Sequence, residues 1–264
     1  MEMKDVITAR PVALDGVCNV RDLGGYPVRE GVIRPGRLLR GADLSMLTLP
    51  GQRQMVQLSV NRIIDLRTDG EVAEAPDRYP ESARLVRLDV LKAVMEGHSA
   101  DPKEMVARLG QRDPTQILLE VYRAFITDAA CLEAWRGFFN TLLESEDGAV
   151  YFHCTAGKDR TGFAAALVLL ALGAKTELIV ADYLLSNRYR KEENQRLLAK
   201  FMAFAPDKRP EEILTLLEVQ EAWLQNALNA MDDGYGSADA FLRDALGIGA
   251  QERRRLTELL VVAG

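Results

Sequence analysis

The stretch that most restricts the fold is Val150–Gly173, VYFHCTAGKDRTGFAAALVLLALG. A short apolar run ends in a histidine and a cysteine, turns through a loop, and enters a long Ala/Leu-rich segment. Gly148–Cys154 reads as a short buried strand and Thr161–Leu172 as a helix. Strand, glycine-containing loop and helix in succession form a setting in which backbone amides gather around an anion, because the first amides of a helix have no intrahelical partner. The loop also sets one spacing, Cys154-x5-Arg160. A free thiol ionises near roughly pH 8.5, and a helix N-terminus with nearby cations lowers that value. The amides of Thr155, Ala156, Gly157 and Lys158 can then point inward onto three anion oxygens. Arg160 adds a planar fork of donors, and Thr161 a hydroxyl directed at the sulfur. Gly157 permits the tight bend. Such a loop predicts a thiolate that attacks phosphorus in line, with Arg160 and the amides stabilising the equatorial oxygens. His153 is expected to orient the loop through hydrogen bonds rather than to transfer protons.

At 264 residues the chain can bury a sizeable core as one domain, 1–264. A net charge of −6 argues against general nucleic-acid binding and against a basic membrane-binding surface. The apolar stretch Phe163–Ala174 is too short to span a bilayer, so no stable membrane insertion is expected. Cys18, Cys131 and Cys154 are an odd, widely spaced set, which predicts a reducing, cytoplasmic setting without a disulfide framework. The N-terminal residues lack the pattern of a secretory signal. His98 and His153 lie far apart and no cysteine pair has zinc-like spacing, so neither metal nor cofactor is expected. There is no G-x-S-x-G elbow. The loop also differs from a Walker A loop, because Asp159 and Arg160 separate Lys158 from Thr161.

The rest of the chain predicts an α/β class: a central sheet flanked by helices, with a helical C-terminal part. The first fifty residues read as short extended pieces punctuated by turns. A short helix is expected near Pro50 with Thr48 as its cap. NRIIDLRT and SARLVRLDV read as strands, and 115–145 as helical with a break near Asp128. The polar segment 92–115 reads as loop or short helices near the site. After Gly173 helices are expected at 175–186, 189–204, 210–230, 237–246 and 251–261. Cys18 and Cys131 read as inert buried residues, and Trp135 and Trp223 as core anchors.

HCTAGKDRTG resembles the signature loop of the cysteine-dependent protein tyrosine phosphatase superfamily. With NVRDLGGY, RPGRLLRGADL, IIDLRTDGE and ADYLLSN in this order, the chain resembles more narrowly the bacterial tyrosine and lipid phosphatases. The resemblance runs from about Asn19 to Asn187. It implies a phosphatase-type sheet in a core spanning 12–187, and a helical lid and C-terminal helices over 188–264. It also implies Cys154 as nucleophile, Arg160 as phosphate clamp and Lys158 as an extra cation. Asp159 matches the family's general acid, which protonates the leaving group and then activates water. The commoner superfamily arrangement places that acid upstream, where Asp89 and Asp128 are the candidates. Asp65 and Arg67 are implied to support or line the pocket, and Asn19, Arg21 and Asp22 to pack under the loop. The implied substrates are phosphotyrosine, phosphoserine/threonine or phosphoinositides. The alternative is a phosphate-recognition module without turnover. Cysteine-based arsenate or sulfur-transfer chemistry ranks lower.

Overall fold

A computed structural model describes residues 10–92, 113–204 and 209–263. Most of the expected loop 92–115 therefore lies outside the described residues. The architecture is mixed α/β, as the sequence predicts. Short strands β1 (Arg10–Pro11), β2 (Arg21–Asp22), β3 (Pro27–Val28), β4 (Gly31–Ile33) and β5 (Leu38–Gly41) form the N-terminal part. β6 (Val60–Asp65), β7 (Arg84–Arg87) and β8 (Ala149–His153) complete a six-stranded sheet of order β1-β2-β5-β8-β6-β7. β5, β8, β6 and β7 run parallel, while β2 is antiparallel to β5 and β1 is antiparallel to β2. A separate three-stranded sheet pairs β3 and β4 with β9 (Val261–Val262), bringing the C-terminal region back to the first hairpin.

The period-two alternation of the parallel strands feeds two cores. Leu38, Ile64, Val150 and Phe152 face the larger one. Leu39, Ile63, Ala149 and Tyr151 face a smaller one, which helix α1 (Leu49–Gln57) covers with Met55. Thr48 caps α1 by accepting from Gly51 N–H, with Pro50 in the first turn, as expected. After α2 (Asp69–Glu74) come α3 (Pro114–Thr127) and α4 (Ala129–Leu143), separated at Asp128. Asp128 accepts from the amides of Ala130 and Cys131 and is therefore a helix cap.

Helix α5 (Asp159–Ala171) is buried over almost its whole surface, which explains its run of alanines and leucines. It fills the larger core, where Phe163 meets Phe125 and Trp135. α6 (Thr176–Tyr189) and α7 (Lys191–Phe204) follow, divided at Arg190. The helix expected over 210–230 is two helices, α8 (Pro210–Leu217) and α9 (Glu221–Tyr235). The break is tertiary: Asn187 donates to Val219 O (2.9 Å) and accepts from Val219 N–H (2.8 Å). The expected helix 237–246 is a single turn, Ala238–Ala240, running into a π-helical turn, Phe241–Ala245. α10 (Ala250–Leu260) leads into β9.

Candidate active site

The register of the three central strands places Gly41 beside His153 and His153 beside Asp65, so β5, β8 and β6 end level. Cys154 follows the central strand at that carboxyl edge, where open parallel sheets bind ligands. The loop from Cys154 to Arg160 joins β8 to α5, whose amino end faces it. The first intrahelical bond of α5 runs from Gly162 N–H to Lys158 O (2.9 Å). Earlier amides are available to the loop.

The loop carbonyls are held from behind. Asn19 Nδ2 donates to Ala156 O (3.2 Å) and Gly157 O (2.9 Å), Arg40 Nη2 to Gly157 O (3.0 Å), and Arg190 Nη1 to Ala156 O (3.0 Å). Carbonyls fixed outward leave the intervening amides free to turn into the cup, the arrangement that binds anions. Asn19 itself adopts φ 60°, one of two non-glycine residues in that region among those described. Gly157 has φ 66°, and a Cβ there would lie 2.2 Å from Gly41 O. The expectation that Asn19 and Arg21 sit under the loop is met: Arg21 donates to Asn19 Oδ1. Asp22 instead accepts from the amides of Gly24 (2.8 Å) and Gly36 (2.8 Å) and shapes the neighbouring turn.

Asp182 on α6 gathers this support. It pairs with Arg40 Nη1 (2.5 Å) and Arg21 Nε (3.5 Å), and accepts from Tyr26 Oη (3.1 Å). Burial alone would raise the Asp182 carboxyl, but Arg40 and Arg21 hold it below the usual range. Burial and the neighbouring Arg40 bring Arg21 down to about 10. A second buried network flanks β8. Arg67 bonds both oxygens of Asp65 (2.9 Å each) and also reaches Asp77 (2.8 Å). His153 Nε2 lies 3.1 Å from Asp77 Oδ2, an ion pair without a well-aligned hydrogen bond, and Nδ1 is 3.2 Å from Cys154 O. Burial lowers the His153 pKa, but Asp77 and Asp65 outweigh it and the net direction is upward. Asp65, Asp77 and His153 are close enough to hold a cation. Arg67 already supplies their compensating charge. Asp65 and Arg67 thus pair with each other beneath the strand ends, and His153 Nδ1 carries this network to the first residue of the loop.

Cys154 is buried. Burial would push its thiol up, but Arg160, the Thr161 hydroxyl and the Thr161 amide bring it below the ordinary value. The buried Thr161 hydroxyl makes no hydrogen bond of standard geometry, which leaves it free to serve the sulfur. Arg160 meets a residue that sequence reasoning missed, Glu71. Nη1 and Nη2 each donate to one Glu71 oxygen at 2.6 Å, and Thr155 Oγ1 donates to Oε1. Glu71 is fixed in turn by a capping box with Thr68. Despite burial, Arg160 holds its carboxyl far below the usual range. End-on pairing to Glu71 leaves Nε and the second hydrogen of Nη2 on the adjacent edge, a fork for an incoming oxyanion. The one sequence signal for Glu71 is the T-x-x-E box in IIDLRTDGE, which reads only as a helix start.

Asp159 accepts from Tyr122 Oη (3.0 Å) and pairs with Lys158 Nζ (2.6 Å). Tyr122 also bonds Tyr183 (2.6 Å), and burial and Asp159 both keep its phenol neutral, so it remains a donor. Lys158 Nζ reaches Glu218 O (3.2 Å) and sits 6.0 Å from the Trp223 ring. Lys158 and Asp159, with Cys154, Thr155, Ala156 and Arg160, line a cavity of about 460 Å³ that extends to Leu197, Phe201, Ile213 and Leu217 of α7 and α8. Asp89 and Asp128 lie outside its lining. Cys18, expected to be inert and buried, is half-buried and lines the same cavity, with Arg190 Nη1 3.4 Å from its sulfur. Cys131 is buried, donates to Val90 O, and is pushed up to about 12, first by burial.

A family model described as the tyrosine phosphatase family matches residues 12–262. The triple specificity protein phosphatase PtpB of Mycobacterium tuberculosis is 30% identical over 276 residues, covering 94% of this chain and 98% of that protein. A Cupriavidus necator protein named for tyrosine-protein phosphatase activity is 34% identical over 244 residues, 92% of this chain and 86% of its own length. A tyrosine-protein phosphatase of Nostoc commune is 30% identical over 241 residues, 89% and 78% of the two chains. With its matched span and its thiol-centred loop, the chain belongs to the tyrosine phosphatase family.

Proposed function

We propose that the chain works as one catalytic domain, a phosphomonoesterase that passes through a cysteinyl-phosphate on Cys154. The observation that carries this reading is the lowered Cys154 thiol in a loop whose carbonyls are tied outward and whose arginine keeps one edge free. A phosphate monoester enters with three oxygens on the loop amides and the Arg160 fork. Cys154 attacks phosphorus opposite the ester oxygen. The S–P bond forms as the P–O bond breaks, and Asp159, held by Tyr122, supplies the proton to the departing oxygen. Lys158 shifts from Asp159 to the phosphate as it binds, releasing the carboxyl for this task. Asp159 then takes a proton from water, which attacks the phosphocysteine and frees inorganic phosphate. His153, Asp65 and Arg67 keep the loop in place. Substrates are phosphotyrosine first, with phosphoserine/threonine and phosphoinositides beside it. The triple-specificity relative supports that breadth.

The test is phosphate release from a phosphotyrosine peptide, phosphoserine peptides and short-chain phosphoinositides, in reductant without added metal. Cys154→Ser should abolish release. Asp159→Asn should slow poor leaving groups about 10²–10⁴-fold, the range of general acid catalysis, while activated aryl phosphates suffer less. Single-turnover capture of a phosphocysteine should succeed with wild type. Binding of phosphate without release from any substrate would favour the recognition module instead.

A further inference from the structure

The exposed large hydrophobic side chains among the described residues are confined to one short segment. Met46 is 70% exposed, Leu49 69% and Val56 52%. Within α1, Leu49, Arg53 and Val56 are spaced i, i+4, i+7 and form one stripe. Arg53 is exposed, as is Arg78, whose amide donates to Leu44 O (3.1 Å) beside the same ridge. Neither cation has an ion-pair partner among the described residues. Asp15, the acidic neighbour at the start of α1, accepts from the Thr48 hydroxyl (2.6 Å). The ridge rests on buried Gly51 and Met55, so its side chains stand on a fixed base. Met46 also lines the cavity that holds Cys154, which makes the ridge continuous with the mouth of the site.

We propose that the Met46–Leu49–Val56 ridge, with Arg53 and Arg78, docks the protein on an anionic lipid bilayer with the catalytic cup facing the headgroups. This rests on the phosphatase reading and names phosphorylated lipid headgroups as a substrate class presented in a membrane. The shape decides between occupants. Side chains this exposed project from a convex helix, so a protein partner would need a matching pocket for each, whereas a bilayer deforms around them. A cation between two apolar side chains suits an interface in which the apolar stem is buried and the charge stays among headgroups. The overall charge of −6 opposes long-range attraction to such a surface, so apolar insertion carries the docking and the two arginines select for anionic lipid.

The test uses the full chain in a vesicle flotation assay. Phosphatidylcholine vesicles are compared with the same vesicles doped with phosphatidylserine, and hydrolysis of a phosphoinositide embedded in them is measured in parallel. Leu49→Ser/Val56→Ser should lower vesicle binding and embedded-lipid turnover by about tenfold or more, the scale of losing two partly buried aliphatic side chains. Arg53→Gln should weaken binding to the phosphatidylserine-containing vesicles selectively. Hydrolysis of a soluble phosphotyrosine peptide by both variants should match wild type. Absence of vesicle binding by wild type, or equal binding by the Leu49/Val56 variant, would overturn the proposal while leaving soluble turnover intact. Equal loss on the soluble peptide would assign the ridge to protein recognition and overturn it as well. Failure of wild type on the soluble peptide would instead strike the phosphatase reading.

Discussion

Glu71 and Tyr122 are the residues whose roles lie furthest from anything their sequence surroundings announce. Glu71 sits in a short capped helix, yet its carboxylate consumes the outer hydrogens of Arg160 and thereby aims the remaining edge at the cup. Glu71→Gln keeps the shape but loses a charge-assisted pair. Its kcat/KM should fall about tenfold to a hundredfold, corresponding to the roughly 1.5–3 kcal/mol of such bonds, and orthovanadate should bind correspondingly less tightly. Unchanged vanadate affinity would show that Arg160 does not depend on Glu71 for its orientation. Tyr122→Phe removes the hydroxyl that fixes Asp159. We expect slower turnover of poor leaving groups with little effect on activated aryl phosphates, a split read directly from the two kcat values. Cys154, Arg160 and Asp159, proposed here as nucleophile, clamp and acid, are legible in sequence because three chemical demands fall within one short stretch. The residues that aim them come from distant segments, and no local pattern links Glu71 to Arg160 or Tyr122 to Asp159.

The loop and the elements around it obey constraints that partly show in sequence. The sequence places Gly157 at a bend, and its φ of 66°, with Gly41 O only 2.2 Å from where a Cβ would sit, turns that expectation into a requirement. Gly157→Ala should cost at least about 2 kcal/mol in chemical denaturation, combining left-handed strain with the clash. It should also slow iodoacetamide alkylation of Cys154 near neutral pH, because a displaced loop no longer favours the thiolate. His153 gives a pH signature. Its folded-state pKa is raised, so the stabilisation is fully present below the unfolded value of about 6.5 and is lost as pH rises through the folded value. His153→Gln should therefore destabilise by about 1–3 kcal/mol at pH 6 and by less at pH 9, measured by urea unfolding at the two pH values. The break between α8 and α9 does not show in sequence because the helical spacing of 210–230 is continuous. Asn187 bonds both polar groups of Val219 and Lys158 takes Glu218 O, and these tertiary bonds replace the helical ones.

At the scale of the molecule, Asp182 joins α6 to β2, β5 and the back of the loop through two arginines and a tyrosine. Asp182→Asn leaves two buried guanidinium groups without their counter-charge and should cost about 3–5 kcal/mol, with loss of activity at temperatures where the fold survives. A melt unchanged from wild type would refute that assignment. Helices α7 and α8 pack on each other through their own small cluster of Phe201, Ile213 and Leu217, separate from the two sheet cores. Their amides should exchange with solvent faster than those of α5, which lies wholly within the larger core. Sequence alone carries the class of fold, and it points to the proposed nucleophile and its loop, because alternating strands, a fully apolar helix and a single C-x5-R spacing are local signals. Asp65 and Arg67 also read as an ion pair from their spacing, as they are, but the meeting of Arg21 and Arg40 with Asp182 does not show in sequence. Which carboxylate meets Arg160, what turns the loop carbonyls outward and which helices border the cavity show only in the folded chain. Each of those depends on strand ends brought level from separate parts of the chain, and on buried charges that must find partners wherever the fold brings them.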